Sequence, residues 1–178
     1  CIIYGIPYRI FGGLKFYDRK EIKDILAYLR IIMNPHDDIS LLRVVNEPKR
    51  GIGAASLAQL EARAAVEGGG IYGQISQTPV LAALSGPARR GLGDFYKMVE
   101  HWRQYSPDTP VLLLMDMVLA ESGYRKMLED STLLEAQSRL ENIGELLSVA
   151  ASFDAEAEEG GLENFLAQIS LATDMDQA

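Results

Sequence analysis

Glu21-Ile22-Lys23-Asp24-Ile25-Leu26-Ala27-Tyr28-Leu29-Arg30-Ile31-Ile32-Met33-Asn34-Pro35 is the stretch on which the fold turns. Its apolar residues Ile22, Ile25, Leu26, Leu29, Ile32 and Met33 fall at i, i+3, i+4, i+7, i+10 and i+11, one face of a helix. Asp18, with Glu21 three residues on, predicts a capping-box start. Asn34-Pro35 predicts the stop, because the residue before proline is pushed away from helical backbone angles. Upstream, residues 6–11 (Ile-Pro-Tyr-Arg-Ile-Phe) alternate enough for a short strand, which Gly12-Gly13 then breaks. Downstream no further strand is legible.

The chain after Pro35 reads as a series of helices. Asp37 or Asp38 caps a short one that runs to about Asn46. The turn Glu47-Pro48-Lys49-Arg50-Gly51-Ile52-Gly53 leads into a helix over residues 54–66, and Gly68-Gly69-Gly70 reads as a flexible joint. Two short helical turns are expected between 71 and 85. Pro87 suits the first turn of a helix carrying Leu92, Phe95, Val99 and Trp102. Thr109-Pro110 opens another, ending at Ser122-Gly123. The clearest helix spans 132–153, with Leu133, Ala136, Leu140, Ile143, Leu147 and Ala150 on one face. A last one carries Leu162, Phe165, Leu166 and Ile169 and frays over 173–176. The expected fold class is therefore mainly α: an irregular helical bundle with a helix-hairpin-helix-like Gly-Ile-Gly turn and a short strand-helix stub at the N-terminus.

A chain of 178 residues fits one domain, or a domain with a piece of its neighbour. An apolar content of 48% and a charged content of 24% allow a buried core without disulfides or metal. The apolar run at 111–115 is far too short to cross a bilayer. Cys1 is the only cysteine, which excludes an internal disulfide and a Cys-based zinc site. The chain opens on Cys1-Ile2-Ile3-Tyr4, with no basic leader and no initiator Met. We therefore expect a cytoplasmic segment cut from something larger. The net charge of −8 is unevenly spread. Residues 1–50 hold nine Lys/Arg against six Asp/Glu, whereas 51–178 hold eight against nineteen. A polyanion would be met near the first third and repelled elsewhere.

No catalytic constellation is visible. A phosphate-cradling Gly-x-x-x-x-Gly-Lys-Ser/Thr is absent, and His36 and His101 have no ligand-spaced neighbours, so no metal site is expected. The informative motif is Pro48-Lys49-Arg50-Gly51-Ile52-Gly53. Glycines on both sides of an apolar anchor allow positive φ and close approach of the backbone to a partner. The N–H groups of Ala54 and Ala55, at the helix start, lack intrahelical acceptors and carry partial positive charge. A phosphate docks naturally there, with Lys49 and Arg50 as rim charges and Ile52 as the core anchor. The same residues would also make an ordinary inter-helix turn. Arg89-Arg90-Gly91-Leu92-Gly93 repeats the pattern, which makes Arg90 and Gly91 secondary candidates; its glycines would equally lie inside a helix. At the strand-to-helix turn, Gly13, Lys15, Phe16 and Arg19 are further secondary candidates, the aromatics stacking bases or else sealing the helix start.

These residues resemble the UvrD/PcrA/Rep-type superfamily 1 DNA helicases. The resemblance rests on residues 5–9 (Gly-Ile-Pro-Tyr-Arg), on 12–30 from Gly12-Gly13 to Arg30, on Asp37-Asp38 with Leu41-Leu42-Arg43, and on 48–53. Ser122-Gly123-Tyr124 and the stretch from Glu135 to Asn142 add to it. The resemblance implies that residues 1–35 are a strand-helix stub of the second RecA-like motor domain. It implies that 36–178 are the helical accessory subdomain, of the 2B type, in which the Gly-Ile-Gly turn meets duplex DNA. ATP and Mg, 3′ to 5′ unwinding, and roles in DNA repair and replication are implied for the parent protein alone, with no cofactor in this segment. The implied partners are duplex DNA, the motor domains of the parent chain, and repair or replication proteins, in a bacterial, nucleoid-associated setting. The competing expectation is an acidic helical module that regulates the same motor and touches no DNA.

Overall fold

The computed structural model describes the backbone of residues 2–3, 6–7 and 15–177, and the side chains of 15–175. Strand β1 (Ile2–Ile3) pairs antiparallel with β2 (Ile6–Pro7), placing Ile2 opposite Pro7 and Ile3 opposite Ile6. The remainder of the expected strand, residues 8–11, and Gly12-Gly13 lie outside the described residues. A 3₁₀ turn, Phe16–Asp18, then opens an almost wholly helical molecule.

Helix α1 (Lys20–Met33) is the spine. Ile22, Ile25, Leu29 and Ile31 are fully buried, and α1 packs against α2 (Asp38–Val44), α6 (Gly86–Tyr105), α7 (Val111–Glu121), α9 (Glu135–Glu156) and α10 (Leu162–Gln177). Completing the bundle are α3 (Ala54–Glu67), α4 (Gly70–Ile75), α5 (Thr78–Ala82) and α8 (Tyr124–Glu129). Trp102 of α6 meets Tyr28 of α1 edge-on at 5.8 Å between ring centres, and Phe153 meets Phe165 at 5.3 Å, joining α9 to α10. One continuous apolar core results, shared by the residues before and after position 35. Burying each such Ile, Leu or Phe stabilises the fold by roughly 1.5–3 kcal/mol.

The expected capping box is absent. Arg19, not Asp18, is the N-cap of α1, and it makes no side-chain cap bond. Glu21 does not reach back to the helix start. It is 3% exposed and accepts a 2.8 Å bond from the Asn142 amide of α9, whose oxygen accepts from Arg19 at 2.6 Å. A tertiary partner displaces the local one. Asp24 is buried for a similar reason: its carboxylate accepts from Lys20 and Arg43, each at 2.8 Å, and from the Tyr124 hydroxyl at 2.6 Å.

Other departures have equally local causes. Helix α9 begins at Glu135, so Leu133 is 60% exposed instead of heading its core stripe, and the neighbouring Leu134 is 94% exposed. Its buried face is Ala136, Ile143, Leu146, Val149, Ala150 and Phe153. Helix α8 was not anticipated because only Tyr124 and Leu128 of its six residues are buried, too few for a periodic signal. Gly68, Gly69 and Gly70 form a pinned turn, all at positive φ, rather than a loose joint. His36 Nδ1 lies 2.8 Å from the Gly69 carbonyl oxygen, and Asp38 accepts from the Ile71 N–H at 3.0 Å. Asp37, meanwhile, caps α2 by accepting from the Ser40 N–H.

Candidate nucleic-acid interface

The turn between α2 and α3 is built from the inside. The Asn46 side-chain oxygen accepts from the N–H groups of Arg50, at 2.7 Å, and Ile52, at 3.4 Å, folding the chain round a single amide. Ile52 is 3% exposed and anchors the turn to the core, as its sequence context implied. Gly51 has φ +77°, a conformation costly for other residues, and a Cβ there would come within 3.3 Å of Pro87. Gly53 departs from expectation. Its φ is −86°, ordinary extended backbone, and a Cβ would meet nothing within 4 Å. Only Gly51 is a glycine for conformational reasons.

Behind Gly53 the start of α3 is bare. The first helical bond runs from Leu57 N–H to the Gly53 carbonyl, leaving the N–H groups of Ala54, Ala55 and Ser56 without an intrahelical acceptor. No side chain caps them, and no acid lies in the first turn. At three other helices such groups are met: Asp37 caps α2, Ser85 caps α6, and Asp154 accepts from both Val111 and Leu112 at the start of α7. Ala54 and Ala55 are exposed, so a ligand can approach without displacing a cap.

The two charges expected at the rim part company. Lys49 is exposed and, among the described residues, unpaired. Arg50 points inward. Its Nη1 donates to the carbonyls of Val44 and Val45 at 2.9 and 3.0 Å, and its Nη2 to the Tyr28 hydroxyl and the Ser122 carbonyl at 2.8 and 3.1 Å. Its guanidinium carbon also lies 5.4 Å from the Phe95 ring centre and 5.9 Å from that of Tyr28. Arg50 is therefore not a rim charge.

The second motif packs against the first. Gly91 lies inside α6, buried beneath the turn, where a Cβ would overlap the Arg50 carbonyl oxygen and come within 3.0 Å of Ile52. It faces the protein, which removes it as a surface contact. Arg89 and Arg90 are exposed and, among the described residues, unpaired, adding charge beside the Gly51–Pro87 contact. The adjoining cleft of about 430 Å³ mixes Arg90 with Asp94 and Glu121, so the favourable approach for an anion is along the outer rim.

The third group lies apart, at the start of α1 against α9. Phe16 is 4% exposed and cannot stack a base. Arg19 bonds Asn142 and lies 6.0 Å from the Phe16 ring centre, and Lys15 is half-exposed. Gly13 lies outside the described residues. Sequence reasoning missed Asn46, Tyr28 and Ser122, whose roles depend on contacts from other helices. Among the described residues no group of three or more His, Cys, Asp or Glu could hold a metal ion, and no helix is long and apolar enough to cross a membrane.

Comparison with known proteins finds similarity along most of this chain. The model of the UvrD-like helicase C-terminal domain matches residues 3–69, from the first strand through α3. The ATP-dependent DNA helicase PcrA of Bacillus subtilis is 44% identical over 173 residues, 97% of this chain and 23% of the relative. The PcrA proteins of Staphylococcus epidermidis and Staphylococcus aureus are 40% and 41% identical over 176 residues, 98% of this chain and 24% of theirs. The chain thus spans about a quarter of the length of these relatives.

Proposed function

We propose, on the premise that this chain is a UvrD/PcrA-like helicase sequence, that the α2–turn–α3 unit holds the backbone of duplex DNA without regard to base sequence. The observation that carries this reading is the uncapped, acid-free, exposed start of α3 beside unpaired Lys49. Free N–H groups aligned with the helix dipole attract an anion, and a phosphate offers the oxygens they need. Backbone contacts of this kind position a duplex and carry no sequence information.

In this reading residues 36–178 are the accessory, duplex-binding and regulatory subdomain of an ATP-dependent 3′ to 5′ DNA helicase acting in repair or replication. Residues 1–35 are the edge of its motor domain, and α1 is the seat on which the helical part stands. The residues present do not fit a nucleotide, since the chain has no phosphate-cradling loop. In this reading ATP and Mg are held by the motor domains of the parent protein. The purified chain is expected to hydrolyse no ATP, with or without DNA. DNA-stimulated turnover in a preparation free of other helicases would end this domain assignment.

The direct test is a duplex titration at several salt concentrations, using two unrelated sequences. Binding should be equal for both, weak at about 10⁻⁴ to 10⁻⁶ M, and steeply salt-dependent. Lys49→Ala should flatten the salt slope by up to about one unit. Gly53→Asp is the sharper variant. The observed φ and ψ at Gly53 suit an N-cap, so an aspartate should stabilise α3 by a few tenths of a kcal/mol while occupying its N–H groups. Lost binding with gained stability cannot come from unfolding. If Lys49→Ala and Gly53→Asp both bind like the unmodified chain, the acidic interaction-module reading replaces this one.

A further inference from the structure

We propose that Arg50 is a positioning residue. Its guanidinium clamps the C-terminal ends of α2 and α7, and so sets where the turn presents the start of α3. This rests on the duplex-binding reading of the turn, and it assigns the contact to Lys49 and the free N–H groups while taking it from Arg50.

Arg50 reaches the ends of two helices. Val44 is the last residue of α2 and Val45 its C-cap; Ser122 is the C-cap of α7. Carbonyls at helix C-termini lack intrahelical donors and carry partial negative charge. Arg50 stands between two such ends and spends all four of its amino N–H groups on them and on Tyr28. Among the described residues it has no carboxylate partner; carbonyl oxygens and the flanking rings satisfy it. To reach a phosphate it would have to break four hydrogen bonds and leave the Val45 and Ser122 carbonyls without the donors it supplies. Lys49, one residue earlier, would have to break none.

Tyr28 completes the device. Its hydroxyl accepts from Arg50 and donates to the Glu47 carbonyl, tying the first residue of the turn to α1. Burial pushes this hydroxyl up to about 12, with the Arg50 charge opposing, so it keeps its proton and both bonds at neutral pH. The clamp needs a planar fork with parallel donors. A lysine ammonium, with three donors on one atom, cannot span the two helix ends.

The test uses Arg50→Gln, Arg50→Lys and Tyr28→Phe in the 178-residue chain, with two readouts. In the free protein, amide exchange at Arg50 and Ile52, whose N–H groups are held by Asn46, should accelerate by about tenfold in each variant, the worth of a lost charged hydrogen bond, while α10 exchanges as before. In duplex titrations each variant should weaken binding by about tenfold with an unchanged salt slope, whereas Lys49→Ala flattens it. Arg50→Lys separates the two roles, since a charge that only met phosphate would be preserved by it. Unaltered exchange at Arg50 and Ile52, or a slope flattened by about one unit in Arg50→Gln, would overturn the clamp. If Arg50→Gln does not fold, Tyr28→Phe, which keeps the ring packed on Trp102, decides the question. If the unmodified chain binds no duplex, the DNA reading fails by itself and the exchange data still judge the clamp.

Discussion

Gly91→Val is expected to destabilise the fold by about 3 kcal/mol or more, the upper range for an overpacked core site, and to abolish duplex binding with it. In isolation the substitution looks harmless. Gly91 lies in the middle of α6 at ordinary helical angles, where even alanine is about 1 kcal/mol better than glycine. Tertiary contact reverses the sign. A Cβ at 91 would overlap the carbonyl oxygen of Arg50, a backbone atom held by the Asn46 bond and the Arg50 clamp, so it cannot rotate away as a side chain would. Either α6 or the turn must move. Gly93 is the internal control. It lies in the same helix, and a Cβ there meets nothing within 4 Å, so Gly93→Ala should gain up to about 1 kcal/mol. Chemical denaturation followed by helical ellipticity checks both. Equal effects of the same sign at the two positions would show that the turn does not rest on α6.

This pair also marks how far the sequence could be read. Arg89-Arg90-Gly91-Leu92-Gly93 and Pro48-Lys49-Arg50-Gly51-Ile52-Gly53 look alike because both place arginine before glycines and an apolar residue. One is a turn and the other is the helix wall the turn leans on. The helical periods that predicted α1, α6 and α10 are local properties, and they placed Ile25, Phe95, Trp102 and Phe165 in the core. The direction of the Arg50 side chain is not a local property. It depends on a tyrosine 22 residues earlier and a carbonyl 72 residues later. The same holds for Glu21, read as a capping residue and found bonded to Asn142, 121 positions away. Polar residues inside an apolar stripe, such as Asp24, were the available signal that a buried network exists. Their partners lie on other elements, and periodicity says nothing about those. The bare start of α3 was legible for the opposite reason: nothing distant comes to cap it, so the local grammar of glycine before alanine survives intact.

That buried network makes the fold sensitive to alkali, and stability is expected to fall steeply as pH rises above about 10. Tyr28, Tyr72 and Tyr124 all hold their protons more tightly folded than unfolded. Burial is the largest cause for each. Hydrogen bonds to carboxylates, from Tyr72 to Glu100 and from Tyr124 to Asp24, raise the latter two further. In the unfolded chain these hydroxyls ionise near 10.0; in the folded chain Tyr28 does so only at about 12. A group whose folded value is raised contributes its full stabilisation below the unfolded value and loses it as pH climbs through the folded one. For Tyr28 alone this is roughly 3 kcal/mol lost between about pH 10 and pH 12. Tyr124 acts in the same direction, because its phenolate would stand 2.6 Å from a buried carboxylate. Denaturant midpoints measured from pH 8 to 12 should therefore decline over the upper half of that range. Tyrosinate absorbance of the folded chain should show some of its eight tyrosines titrating late. Tyr124→Phe should be the less stable protein at pH 8, having lost its bond to Asp24, yet should lose less than the unmodified chain on going to pH 12. Midpoints that stay level up to pH 12, or a Tyr124→Phe profile parallel to that of the unmodified chain, would mean that these hydroxyls are not held as the geometry requires.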